Sequence, residues 1–283
     1  MSALSAKLAT PLPPEASSVQ QKCYVTYHHP SAPTEADAHR PGNPSYSQIT
    51  LLESRSLISA GGTTGLRTWE AALHLGRFLC ANPATVRGRH ILELGAGTGY
   101  LSILCARYLG AAHVIASDGS DDVLYNLPDN LFLNGLEHTS SATITSQDQV
   151  SGQRDSQATY GTVTLMDIKW GYALLGTEEE KWNGGRPVDV VLGADVTYDR
   201  SVIPSLVGTV LELFALYPQV EVYISATQRN RDTFQVFLDV CQGHGLKVDD
   251  FEFEVPSRAD QEGPFYSDEV EIRICRVSQS KKQ

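Results

Sequence analysis

The stretch Ile91 to Gly99 reads Ile-Leu-Glu-Leu-Gly-Ala-Gly-Thr-Gly, and it restricts the fold more than any other part of the chain. The apolar run His90–Leu94 has the length of a strand and stops at three glycines separated by single residues. Tyr100 to Leu109 follows at once, with its apolar residues at helical spacing. A strand, a tight glycine turn and a helix open a βαβ unit, in which a ligand can lie against bare backbone at the positive end of the helix. The turn alone does not separate nucleotide-binding folds from ordinary tight turns. The residues that follow it narrow the choice.

Ala112–Asp118 reads as a second strand that ends in an acid, nineteen residues after Gly99. An acid there can accept hydrogen bonds from the ribose hydroxyls of an adenosine ligand, or cap the next helix; the glycine turn favours the ribose. Asp121–Asn134 has helical spacing, with Pro128 marking a kink or an early boundary. Residues 137–161 are polar and read as a surface loop with one short strand at Ala142–Thr145. Val163–Trp170 is a strand carrying Asp167 and Trp170 near its end. The pair could offer an adenine ring an acceptor and a flat apolar face, or Trp170 could be an ordinary buried tryptophan.

Val188–Asp195 is too apolar to have a solvent face and belongs in the middle of a parallel sheet. It leads into Ala194-Asp195-Val196-Thr197-Tyr198 at the same sheet edge as the glycine turn, where open α/β sheets bind ligands. A helix (Ser201–Leu216), a strand (Glu221–Thr227), the loop Gln228–Asn230 and a helix (Asp232–Gln242) follow. Two alternating strands, Leu246–Val255 and Glu269–Val277, complete the chain and must run antiparallel. The order predicts a Rossmann-like, seven-stranded, mostly parallel α/β sheet with an antiparallel terminal hairpin and helices on both faces.

Upstream, residues 1–45 are rich in Pro, Ser and Ala and are expected to be extended or poorly ordered, with a short strand at Cys23–Tyr27. The main domain is expected over residues 46–283. It starts with a strand at Gln48–Glu53 and a glycine-rich loop at Ser59–Gly65. A helix with one apolar face then ends at Asn82-Pro83. Trp69 opens that helix, either as a core residue or under a glycine flap over a ligand.

A net charge of −11 argues against a protein that grips nucleic-acid backbone and is compatible with a lysine-bearing protein partner. The chain has no apolar run of membrane-spanning length and no secretory signal pattern. Its five scattered cysteines predict reduced thiols in cytosol or nucleus and argue against a zinc site; the setting expected for the whole chain is cytoplasmic.

Gly95-x-Gly97-x-Gly99 preceded by Glu93 resembles the seven-β-strand S-adenosylmethionine-dependent methyltransferases. Thr68-Trp69-Glu70-Ala71-Ala72, the Asp167–Trp170 segment and Ala194-Asp195-Val196-Thr197-Tyr198 resemble the protein-lysine group within them. Gly62–Leu73 and Ala226-Thr227-Gln228-Arg229-Asn230 are most similar to the eukaryotic elongation factor 2 lysine methyltransferases. The resemblance implies S-adenosylmethionine as cofactor, lined by Trp69, Gly95, Ala96, Gly97, Asp118, Trp170 and Ala194, with Glu93 holding either the methionine amino end or the turn. Asp195 is expected to orient the incoming lysine ammonium and Tyr198 to wall its channel by cation–π contact. Elongation factor 2 is the implied partner of a monomeric enzyme that uses no metal, nucleic acid or membrane. The alternatives are another protein, RNA or a small molecule as acceptor, or a non-catalytic binder of a translation factor.

Overall fold

The computed structural model of the protein describes residues 22–30, 46–54, 63–140, 160–174, 182–183 and 185–280. Strands β1 (Cys23–Pro30) and β2 (Tyr46–Glu53) pair antiparallel along their whole length, so this hairpin bridges the boundary drawn at residue 45. An alternating chain follows: α1 (Glu70–Ala81), β3 (His90–Leu94), α2 (Tyr100–Arg107), β4 (His113–Asp118), α3 (Asp121–Leu133), β5 (His138–Ser140), β6 (Thr162–Asp167) and β7 (Val190–Ala194). It continues with α4 (Ile203–Leu216), β8 (Glu221–Thr227), α5 (Arg231–Gly243), β9 (Leu246–Asp250) and β10 (Ile272–Gln279).

Strands β3 to β10 form one sheet in the order β5-β6-β4-β3-β7-β8-β10-β9. Pairing is parallel from β5 to β8, and β10 runs antiparallel to both β8 and β9. The expected seven strands are present, and three-residue β5 adds an eighth at the edge. Side chains alternate between two cores. Ile91, Val190 and Leu192 face the layer of α1, α2 and α3, while Leu92, Val191 and Ile224 face α4 and α5. Cover on both faces is what allows β7 to carry no polar side chain. Burying each such Leu, Ile or Val contributes about 1.5–3 kcal/mol.

Three expectations change in detail. Helix α3 runs through Pro128 to Leu133 without an early boundary. Its buried residues Val123, Leu127 and Leu131 lie on one stripe, so packing holds the helix where proline removes one backbone bond. The strand expected over Leu246–Val255 stops at Asp250, because Phe251 and Phe253 turn onto Phe78 of α1, at ring separations of 5.0 and 5.4 Å. The strand expected at Ala142–Thr145, and the loop from Ser59 to Gly62, lie outside the described residues.

The first hairpin is fastened to the main sheet by asparagines. Asn126 and Asn130 on α3, with Asn134 at its C-cap, lie four residues apart and are fully buried. Asn130 Oδ1 accepts from Leu52 N (2.7 Å) and Asn134 Oδ1 from Thr50 N (3.0 Å). Asn134 Nδ2 donates to Thr50 O (2.7 Å) and Asn126 Nδ2 to Leu52 O (3.2 Å). Carboxamides thus satisfy the β2 edge that β1 does not reach. His29 of β1 adds a buried bond to the Tyr100 hydroxyl (2.7 Å). Among the described residues, no helix is long and apolar enough to cross a membrane.

Candidate active site

From β3 the chain moves outward to β4 on one side, and it returns on the other side through β7. The crevice between their carboxyl ends is where such sheets bind ligands. A cavity of about 350 Å³ opens there. Trp69, Glu93, Gly95, Ala96, Gly97, Asp118, Trp170, Ala194, Asp195 and Tyr198 all line it. Asp167, the adenine acceptor considered from sequence, lies outside this lining, exposed and paired with Lys169 at 3.2 Å.

One half of the cavity is made of backbone. Gly95, Gly97 and Gly99 all have positive φ, at 69°, 54° and 81°, a region that residues with a Cβ avoid. A Cβ at Gly97 would stand 3.0 Å from Gly65 O, and one at Gly95 would stand 3.0 Å from Val196 and 3.4 Å from the Trp170 ring. Asp118 spans the turn: Oδ2 accepts from Gly97 N (3.1 Å) and Oδ1 from Ser120 N (3.0 Å) just before α3. The acid therefore braces the glycine turn and starts the next helix at once, and burial raises its carboxyl above the usual range. Glu93 is buried under the turn, where its Oε2 accepts from Ser102 N (2.9 Å) and the Ser102 hydroxyl. It satisfies an amide of the first turn of α2, and burial pushes its carboxyl up to about 8.

Side chains make the other half. Trp69 holds extended backbone at the start of α1 and donates its indole N–H to Thr64 O (2.9 Å). Asp195 directly follows β7 at φ 52°, the one non-glycine residue with positive φ among those described, and such strain clusters at functional sites. This backbone aims its carboxylate at the end of β8. Oδ1 accepts from Thr227 N (2.8 Å), and Oδ2 accepts from the Thr227 hydroxyl (2.9 Å) and Arg229 Nη1 (3.4 Å). Burial raises the Asp195 carboxyl, while the Thr227 amide and Arg229 oppose that shift. Tyr198 is 59% exposed at the mouth. Sequence reasoning gave Thr227 and Arg229 no role, although both sit in the segment Ala226–Asn230 that carried the resemblance. Thr68 and Thr98, bonded to each other at 2.6 Å, also line the cavity; both stand in quoted motifs but were given no role from sequence.

A parallel sheet closed by an inserted antiparallel strand, with a bare glycine turn at its switch point and an acid on the neighbouring strand, defines a class I methyltransferase. Residues 55–243 match the lysine methyltransferase family. The chain is 52% identical to the protein-lysine N-methyltransferase EFM3 of Chaetomium thermophilum over 98% of its own length and 74% of that protein's. It is 32% identical to human protein-lysine N-methyltransferase EEF2KMT, covering 83% of this chain and 65% of the human one. It is also 32% identical to the Saccharomyces cerevisiae EFM3, covering 71% of this chain and 55% of the yeast one. The chain thus spans just under two thirds of the human relative and about half of the yeast one. It belongs to the lysine methyltransferase family and is an S-adenosylmethionine-dependent protein-lysine N-methyltransferase. The lining suits that cofactor: the glycines keep clear the space that a Cβ would fill below Trp170, and a carboxylate stands at the end of β4.

Proposed function

We propose that this chain methylates a lysine ε-amine of eukaryotic elongation factor 2 in the cytoplasm. The observation that carries the reading is the meeting of Asp195 and Tyr198 with the glycine turn in one cavity. The similarity to EFM3 and EEF2KMT supports the acceptor.

S-adenosylmethionine supplies a methyl group already activated on a sulfonium. The Gly95–Gly97 backbone and Ala194 would form its cradle, Asp118 would accept from the ribose hydroxyls, and Trp170 would offer the adenine a flat apolar face. Glu93 holds the turn through α2, and Trp69 closes the side nearest α1. The Tyr198 ring walls the lysine channel, and Asp195 orients the ammonium by charge, its own geometry fixed by Thr227. An ammonium has no lone pair, so the lysine must lose a proton before it attacks.

Transfer of labelled methyl from S-adenosylmethionine into cytosol lacking this protein tests the reading. One labelled band at elongation factor 2, modified on lysine and absent with Asp195→Ala, is the expected result. Label on a different protein removes the acceptor, and no label on any protein overturns the reading.

A further inference from the structure

Beside the acceptor side of the cavity, Asp195 belongs to a charge cluster whose other members, Arg229, Glu70 and Arg67, have no role above. Arg229, just past the end of β8, has Nη1 3.4 Å from Asp195 Oδ2, and its Nη2 contacts Glu70 Oε2. Its Cζ lies 4.8 Å from the centroid of the Trp69 ring. Glu70 is also met by Arg67, with Nη2 3.3 Å from Oε1, and Arg67 likewise lies 4.8 Å over Trp69. The chain of charges runs Arg67, Glu70, Arg229, Asp195 and sums to zero. Asn230 fixes the loop beside it, since its side chain accepts from Asp232 N (3.0 Å) and Thr233 N (3.3 Å) and so caps α5.

Two demands conflict at such a site. A carboxylate attracts the lysine ammonium, yet the same carboxylate holds the lysine proton on. An ordinary lysine has a pKa of about 10.4. A facing negative charge raises it further, the more so away from water. We propose that Arg229 sets the acidity of the substrate lysine: by cancelling the charge of Asp195, it lets that carboxylate orient the ammonium without retaining its proton. The proposal rests on the reading that Asp195 faces the acceptor lysine.

Arg229 touches none of the reacting atoms and is a positioning residue that acts through Asp195. The groups that face it are Asp195 from the end of β7, Glu70 and the Trp69 ring from the start of α1, and Thr227 from β8, with Arg67 beyond Glu70 and Tyr198 across the mouth. A guanidinium does not titrate in proteins, so the compensation holds at every working pH. The lysine ammonium gives its proton to water at the open mouth. The neutral nitrogen then forms the N–C bond as the C–S bond breaks, and the positive charge passes from sulfur to nitrogen.

The test compares wild type, Arg229→Gln and Arg229→Lys for kcat against pH, at saturating cofactor and acceptor. The acceptor is purified elongation factor 2 or, if the cytosolic assay labels another protein, that protein. In Arg229→Gln the alkaline pH at which kcat levels off should rise by about one unit, the scale of one nearby charge. That variant should be about tenfold slower than wild type on the acid side and converge with it on the alkaline side. Its KM for the acceptor should not rise, because the exposed Asp195 charge attracts the ammonium more strongly. Arg229→Lys, which keeps the charge, should keep the wild-type profile. An equal loss in Arg229→Gln at every pH, with the levelling-off pH unmoved, overturns the inference and leaves Arg229 a structural brace. No label from wild type on any protein instead overturns the transfer reading beneath it.

Discussion

The two halves of the cavity are built from different materials. The half beside β3 and β4 is backbone: Gly95 and Gly97 in left-handed conformation, with the Asp118 carboxylate on Gly97 N and Glu93 on the first turn of α2 behind them. The half beside β7 and β8 is side chain: Trp69, Asp195 and Tyr198 arrive from two separate segments, and Arg229 from a third ties Asp195 to Glu70 and the Trp69 ring. A backbone half suits a ligand that is the same at every turnover. A side-chain half can be retuned for an acceptor by changing single residues, without disturbing the fold beneath. Damage to the first should therefore remove binding, and damage to the second should alter rate or selectivity.

The largest effect should follow Gly97→Ala, which puts a Cβ 3.0 Å from Gly65 O on a backbone of φ 54°. The left-handed penalty and the clash together should weaken cofactor binding roughly a hundredfold, about 3 kcal/mol, by calorimetry. Normal binding would break the claim that this half depends on bare backbone. Next comes Asp195→Asn, which should lower kcat by roughly a hundredfold while cofactor affinity stays at the wild-type value. A loss of cofactor binding there would merge the two halves into one. Tyr198→Ala should raise the acceptor KM about two- to fivefold, the scale of an exposed cation–π contact, whereas Tyr198→Phe should stay near wild type.

The smallest effects concern stability and differ in sign. The Glu93 carboxyl is raised from 4.5 to about 8, so its contribution is full below 4.5 and is lost as pH climbs towards 8. Thermal midpoints of Glu93→Gln across that window should fall less than those of wild type. His29 is lowered from 6.5 to about 4 by burial, so its contribution is full above 6.5 and is lost as pH falls through 4. His29→Gln should flatten the acid limb of the melting curve series by a few kcal/mol at most, of order 1–3.

The cofactor half was legible in sequence because its signal is local. Glycines at alternate positions after a strand, and an acid at the end of the next strand, need only a count along the chain. The sheet was legible for a similar reason, since Val190–Ala194 is too apolar for anything but a central strand. The acceptor half was legible only at Asp195 and Tyr198. Arg229 lies 34 residues from Asp195 and 159 from Glu70, and nothing in either neighbourhood announces the contact. The early boundary considered at Pro128 does not occur, because proline's backbone rule is local, whereas the packing that outweighs it comes from the core. Leu246–Val255 misled in the same way, because alternation shows that a side has been chosen but not that a strand continues.

The asparagine ladder carries a metric consequence. Four residues of helix advance about 6.0 Å, whereas two residues of strand advance about 6.8 Å. The two rulers drift apart by roughly 0.8 Å per rung, so a carboxamide ladder between them can keep good hydrogen-bond geometry for only a few rungs. Asn130 on Leu52 and Asn134 on Thr50 make one matched step, and Asn126, one turn further, reaches back to Leu52 O. The mismatch acts as a vernier: one alignment of helix against strand closes all the bonds, and a slip by a single residue would also turn the buried Ile49 and Leu51 outward. The hairpin at the start of the described chain is thus placed by a coincidence of two periods.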